Sequence, residues 1–462
     1  MKISRPGRLT TAALSLAAMT AAPVLAQDGT GVRGNLSFST GLEVSDNPSL
    51  VTAPDGTTLT SVTNLGFSVS SETRVDRFSF SVGAGIEGKD GGATTEADAL
   101  DVRRSNIALG YTREGINSRL SLSGRYDEAN LDDDVFGFFI DGVFDPDALI
   151  VEGGTRERTQ FSADFSTGID APFGVDLSLG LSSNDFVDTP VDTELNDSDA
   201  RRLSAIARFS INPSTTARLT GNYNRTDVDD SIETSRRTQS IGAGVTTQIN
   251  TGLEISADLS LDTAETLIGA DPDPDKKDGV GLSFGVSQPR PDGAISLNLS
   301  SRIDNSGRRT SINVSRDFDL PTGGLSLSLG VVDQEDLDLK LTTRVEYTRE
   351  APGGTLTANL VQSPSTSDGD AFLNTSLGLG YVAPINSISS WSADFSYGAA
   401  SQFGEEDGDA RTAAGVQYSR DLNEDWALNA GLRHVRISED GADSRTSNTL
   451  FLNVGRDFSF GF

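Results

Sequence analysis

The sequence predicts an all-β fold, a transmembrane antiparallel up-and-down β-barrel of about 22 strands (roughly 20 to 24) without a plug domain. Three observations lead there. Apolar and polar residues alternate with period two in segment after segment from about Arg33 to Phe462. The connections between segments alternate between tight turns and longer acidic loops. The chain closes on a strand of alternating apolar residues, Leu450, Leu452, Val454, Phe458, Phe460 and Phe462.

Residues 1–26 read as a secretory signal peptide. Lys2, Arg5 and Arg8 form a positive head, Ala12 to Ala22 a short apolar stretch, and Val24-Leu25-Ala26 a small-residue cleavage site before Gln27. Losing those three cations takes the net charge from −30 to near −33. No later stretch is apolar for long enough to form a membrane-spanning helix.

Residues 27–462 form the barrel. Leu36, Phe38, Leu42 and Val44 open the pattern, and Phe78, Phe80, Val82, Ala84 and Ile86 repeat it. So do Leu177/Leu179/Leu181, Leu203/Ala205/Ala207/Phe209, Leu253/Ile255/Ala257/Leu259, Val280/Leu282/Phe284, Leu325/Leu327/Leu329 and Leu339/Leu341/Val345/Tyr347. Tight turns such as Glu72–Arg77, Arg113–Asn117, Asn212–Thr216 and Asp421–Asp425 take their geometry from Gly, Pro, Asn and Asp. Longer loops such as Ser45–Thr57, Gly88–Ala97, Asp127–Gly154, Asp304–Arg308 and Pro364–Gly369 fall between them. So many antiparallel strands must close or split, because open edges are a liability. An apolar face paired with a uniformly Ser, Thr, Asn, Gly, Asp and Arg face suits lipid outside and water inside. Tyr and Trp near strand ends, including Tyr111, Tyr347, Tyr381, Trp391 and Trp426, fit interfacial girdles.

The final strand resembles that of Gram-negative outer-membrane proteins. The resemblance implies that Phe458, Phe460 and Phe462 are read as a signal by the barrel-insertion machinery. Arg456 interrupts that strand's apolar face and can snorkel to the inner interface. The opening run from Leu36 to Leu50, with its Ser45-Asp46-Asn47-Pro48 loop, resembles a group of outer-membrane barrel porins, some of which accompany exopolysaccharide systems.

Strand parity assigns the lumen. It places Arg104, Arg119, Arg125, Arg156, Arg158, Arg202, Arg208, Arg218, Arg302, Lys340, Arg344 and Arg433 inside, with Glu43, Glu87, Asp164, Asp176, Glu254, Asp258, Glu346 and Asp394. These residues either form a basic ladder for anionic solutes or pair into a stiff, salt-bridged wall. The loop Asp127–Gly154 is the longest and the only apolar one. Its Phe136, Phe138, Phe139 and Phe144 either fold inward as a constriction or form a small hairpin above the membrane.

Composition excludes other classes. Without Cys there is no thiolate site, and with one His there is no multi-His metal site, so neither metal nor cofactor is expected. His434 shares parity with the lipid-facing Leu432, which argues against catalysis. The acidic balance argues against nucleic acid. The acidic clusters Asp132–Asp134, Asp227/Asp229/Asp230, Asp271/Asp273/Asp275 and Glu405–Asp407 read as solvated loops before divalent-cation bridges to lipopolysaccharide. A TonB-dependent transporter needs a plug domain ahead of the barrel, and only Gln27–Gly31 stands there. The expected partners are outer-membrane lipid and lipopolysaccharide, the insertion machinery and polar solutes. The expected function is a passive porin-like channel in a bacterial outer membrane. The alternatives are a non-conducting or accessory barrel of a surface-polysaccharide export or assembly system, and a soluble exported β-protein.

Overall fold

The computed structural model describes residues 31–54, 56–91, 101–131, 139–140, 143–144, 154–189, 195–249, 252–269, 273–335, 339–367, 370–402, 408–439 and 442–461. The expected signal peptide, Phe136, Phe138 and Phe462 lie outside them. The strands are β1 (Val32–Ser45), β2 (Thr58–Glu72), β3 (Asp76–Gly91), β4 (Asp101–Glu114), β5 (Ser118–Asn130), β6 (Phe139–Ile140), β7 (Val143–Phe144), β8 (Thr155–Thr167), β9 (Phe173–Val187), β10 (Ser198–Asn212), β11 (Thr215–Val228) and β12 (Thr234–Gln248). They continue as β13 (Glu254–Ile268), β14 (Asp275–Arg290), β15 (Gly293–Asp304), β16 (Gly307–Leu320), β17 (Gly323–Gln334), β18 (Lys340–Ala351), β19 (Gly354–Ser367), β20 (Asp370–Asn386), β21 (Ser389–Gln402), β22 (Asp409–Asp421), β23 (Trp426–Ser438) and β24 (Arg445–Gly461).

All but β6 and β7 belong to one 22-stranded sheet in which each strand pairs antiparallel with the next. The sheet closes where β1 pairs with β24, from Arg33 opposite Gly461 to Ser45 opposite Thr449. Closure satisfies every edge, which is what a β-structure inside hydrocarbon requires. Among the described residues no helix is long and apolar enough to cross a membrane.

The exterior is the apolar face. Leu36, Leu65, Leu109, Leu177, Leu203, Leu219, Leu259, Leu282, Leu329, Leu379 and Leu432 all stand exposed on it. An aromatic girdle rings its tight-turn end. Tyr381 and Trp391 pack with centroids 5.2 Å apart, Phe173 and Phe209 at 5.1 Å, and the Tyr111 hydroxyl donates to Asp76 at 2.8 Å. Arg456 faces outward there. It sits 4.2 Å from the Phe458 ring centroid and reaches Asp425 of the turn at 2.9 Å, which keeps its charge out of the apolar band.

A packed apolar cluster occurs on the inner wall instead. Leu50, in the loop after β1, is 4% exposed against Ala413, Val435 and Ile437 of β22 and β23. Asn47 holds that loop down, donating to the carbonyls of Val51 at 2.8 Å and Thr446 at 3.0 Å.

Two hairpins at the long-loop end depart from the regular wall. β14 and β15 pair only from Arg290 opposite Gly293 to Leu282 opposite Ser301, so the tip of the β15–β16 hairpin leaves the sheet. It leans over the inner face of β14, where a Cβ on Gly279 would lie 2.9 Å from Ile303. Asn305 Nδ2 donates to the Glu265 carbonyl at 3.0 Å, and Lys277 Nζ donates to the Asn305 carbonyl at 2.7 Å. Likewise β18 and β19 pair only as far as Thr343 opposite Gln362, and Leu373 of β20 packs on Val332, which is fully buried on the inner wall. The expected loop Pro364–Gly369 is therefore mostly strand: β19 runs on to Ser367, pairing with β20 alone. Pro364 fits there because its missing N–H is needed least where one neighbour is absent.

Candidate functional site

The lumen wall is the site. Each charged residue assigned to it by parity shares a face with its cross-strand partners. Arg208 lies opposite Gly174 and Arg218 opposite Gly244, which in turn lies opposite Asp258. The glycines matter. Gly244 carries no side chain, so the Arg218 guanidinium crosses it and holds both oxygens of Asp258, with Nε at 2.7 Å. Arg208 does the same past Gly174, holding Asp176 at 2.6 and 3.0 Å. Arg125 pairs with Asp127 two residues along its own strand, and Arg344 with Glu346 at 3.1 Å. Arg119 stands 4.0 Å from Glu114. Arg433 lies 5.1 Å from the Phe451 ring centroid.

Several of these arginines are thus paired with a carboxylate on the wall. Arg104, Arg202 and Arg302 differ: they are exposed to the lumen and, among the described residues, their side chains form no hydrogen bond or ion pair. Asp164 is exposed in the same way. Arg156 and Arg158 are not free, and they stand on the same face of β8 as Gln160.

Parity misassigns Arg103. Counted back from Ile107, Arg103 should face lipid. A bulge in the β3–β4 pairing, where Gly85 opposes Arg104 and Ile86 opposes Val102, turns it inward. Arg103 reaches Glu43 at 3.2 Å and Glu87 at 3.8 Å, and Lys89 lies 2.9 Å from Glu87, which is only 1% exposed. The adjacent pair Arg103-Arg104 was the available signal, since strict alternation forces one guanidinium into the lipid belt.

Hollows open on this wall. One of about 760 Å³ is lined by Ser178, Arg202, Asn222, Ser240, Arg302 and Asp304, among others. Asp304 is held by Arg309 at 2.9 Å, and the inward tip of the β15–β16 hairpin brings Arg302 to the lining.

In the loop expected either to constrict the lumen or to cap the barrel, Phe139–Ile140 pairs with Val143–Phe144 as a two-residue ladder. His434 lies on the outer face near the long-loop rim, 2.8 Å from Asn448, which bonds Asp46. It is remote from the lumen. Asp227 is tied to Arg225 at 2.9 Å, and Asp230 caps its own loop. No group of His, Asp and Glu placed to hold a metal occurs among the described residues.

No family model matches the chain, and no curated protein matches its sequence. Solved structures do match its fold. A variant of the ferric enterobactin receptor of Pseudomonas aeruginosa, in complex with enterobactin, superimposes with a TM-score of 0.53 at 13% identity, covering 94% of this chain and 82% of that one. The FrpB iron transporter of Neisseria meningitidis gives 0.57 at 10% identity over 94% and 82%. The siderophore receptor PirA of Pseudomonas aeruginosa gives 0.52 at 10% identity over 92% and 80%. At such identities the likeness is one of fold.

The closed 22-strand sheet, its apolar exterior and its polar lumen define the class: a β-barrel of the bacterial outer membrane. Within that class the chain shares its fold with solved siderophore and iron receptors.

Proposed function

We propose that the chain is an outer-membrane channel for passive passage of polar or charged solutes, with no plug domain in its lumen. The observation that carries this reading is the set of charged lumen side chains, Arg104, Asp164, Arg202 and Arg302, that stand exposed and, among the described residues, without hydrogen-bond or ion-pair partners. Groups of this kind are stable when water solvates them and costly when a packed domain covers them. A barrel of 22 strands spaced about 4.8 Å apart and tilted about 40° measures roughly 40 Å across its backbone, wide enough for a wet passage. In this reading residues 1–26 direct export, Phe458, Phe460 and Phe462 are the insertion signal, and the protein is not a catalyst. Lipopolysaccharide surrounds its long-loop rim.

The test is single-channel recording of the refolded barrel in planar bilayers. Discrete ion-conducting steps are expected, and silence from protein shown to be folded overturns the channel. A second reading is favoured by the fold comparison. Several matching structures are named as receptors or transporters for iron and siderophores. Tight binding of a ferric chelate by a non-conducting barrel would select a receptor. Silence together with no solute binding would leave an accessory barrel of a surface-export system.

A further inference from the structure

We propose that the inner wall of β1–β5 at the tight-turn mouth is a binding site for a small anion that carries hydroxyl groups, such as a sugar phosphate or sugar acid. The inference deepens the channel reading and rests on it only for a water-filled lumen.

A hollow of about 700 Å³ opens there, lined by Arg33, Ser70, Glu72, Arg74, Arg77 and Ser121 among others. It lies in the size range of small-molecule pockets. Arg33 faces inward opposite Ser70, which lies opposite Ser79. The guanidinium groups of Arg33 and of Arg74, in the β2–β3 turn, are exposed and, among the described residues, bond to nothing. Arg77 is shared between Glu72 at 3.0 Å and Glu114 at 3.8 Å, and Glu114 is 4.0 Å from Arg119. Among the described residues, the lining of the hollow thus holds three guanidinium groups, those of Arg33, Arg74 and Arg77, and one carboxylate, that of Glu72, a local excess of two positive charges in a chain of net charge −30.

The hollow near Arg202 lacks this excess. There Arg202, Arg302 and Arg309 are matched by Asp164, Asp262 and Asp304. The tight-turn hollow also presents a row of hydroxyls on the same face, with Thr112 and Ser121 3.3 Å apart. Guanidinium forks fit phosphate or carboxylate oxygens in pairs. Hydroxyls that both donate and accept suit the hydroxyl groups of the same ligand. A bare inorganic anion would use only the first set.

The experiment is titration calorimetry on the refolded barrel in detergent at low ionic strength, where exposed charges are least screened. The probes are glucose 6-phosphate, glucuronate, glucose and hexaglutamate. The variants are Arg33→Gln with Arg74→Gln, and Arg349→Gln as a control on β18, outside the hollow. Both sets are checked for folding by heat-modifiable migration in gels. The site is supported if either sugar anion binds at least about tenfold more tightly than glucose, with the double variant weakening it at least about tenfold and the control changing it less than about twofold. Binding of only one of the two anions narrows the ligand to a phosphate or a carboxylate. The proposal is overturned if neither anion binds, if glucose binds as well, or if the double variant binds normally. Preferential binding of hexaglutamate also overturns it, by pointing to an acidic protein segment. A barrel silent in bilayers that still binds these sugars keeps the site and loses the channel. A conducting barrel that does not bind them does the reverse.

Discussion

Glu87 and Glu346 are both lumen carboxylates paired with arginine, yet their surroundings set different energies. Glu87 is 1% exposed, with Arg103 and Lys89 against it, whereas Arg344 and Glu346 are more than half exposed. Removing one partner of a buried pair strands a charge and costs about 3 kcal/mol, whereas a solvated pair contributes about 0–1 kcal/mol. Replacing both Arg103 and Lys89 with Met strands Glu87 and should therefore lower the urea midpoint of the refolded barrel clearly, and Arg344→Met barely. Equal midpoints would refute the burial argument. Asp230 makes a pH-dependent contribution of its own, outside the strands. Burial would raise its pKa, but the Thr234 hydroxyl at 2.6 Å and the amides of Thr234 and Ile232 outweigh burial and hold it below the usual carboxylate range. A depressed folded pKa means that the loop's added stability is fully present above about pH 4, the unfolded value. It is then lost as pH falls through the lower folded value. Hydrogen exchange at the Thr234 amide should show protection fading in that acid window; protection that strengthens on acidification would contradict it.

Among the elements, the loop after β1 is held by side chains that the alternating pattern does not reveal. Leu50 adopts a φ of +50°, uncommon for a residue with a Cβ, and is kept there by Asn47 and by its seat on Ala413, Val435 and Ile437. Leu50→Ala should loosen the loop by about 2–3 kcal/mol, with faster proteolysis between residues 46 and 57 of the folded barrel. An unchanged cleavage rate would count against the inner-wall cluster. The ten tight turns were legible because Gly, Pro, Asn and Asp sit at fixed places between runs of period two. The inward lean of the β15–β16 hairpin was not. It depends on pairing between β14 and β15 ending at Ser301, and on Gly279 leaving room for Ile303, contacts between segments that local alternation does not encode.

For the whole molecule, closure is the property on which the rest depends. β1 and β24 are more than 400 residues apart in sequence and meet side by side, with Asn35 Nδ2 3.3 Å from the Ser459 hydroxyl. The chain has no cysteine, so Asn35→Cys with Ser459→Cys makes a clean probe. A crosslink should form under oxidation in the folded barrel and not in the heat-denatured protein. A folded barrel that fails to crosslink would contradict the closed seam.

The sequence alone determined the strand count to within about two, the alternation of turns and loops, and the face of each regular strand, because each of these is written in local period-two order and in turn residues. It also assigned the charged lumen residues. Only the tertiary structure decided which of those charges neutralise one another, since that depends on register across strands and on small residues such as Gly244 between the partners. It alone turned Arg103 inward, through a bulge that breaks parity by one residue. It alone gathered Arg33, Arg74 and Arg77 around a single hollow, because their proximity follows from two successive strand pairings, which local order leaves open.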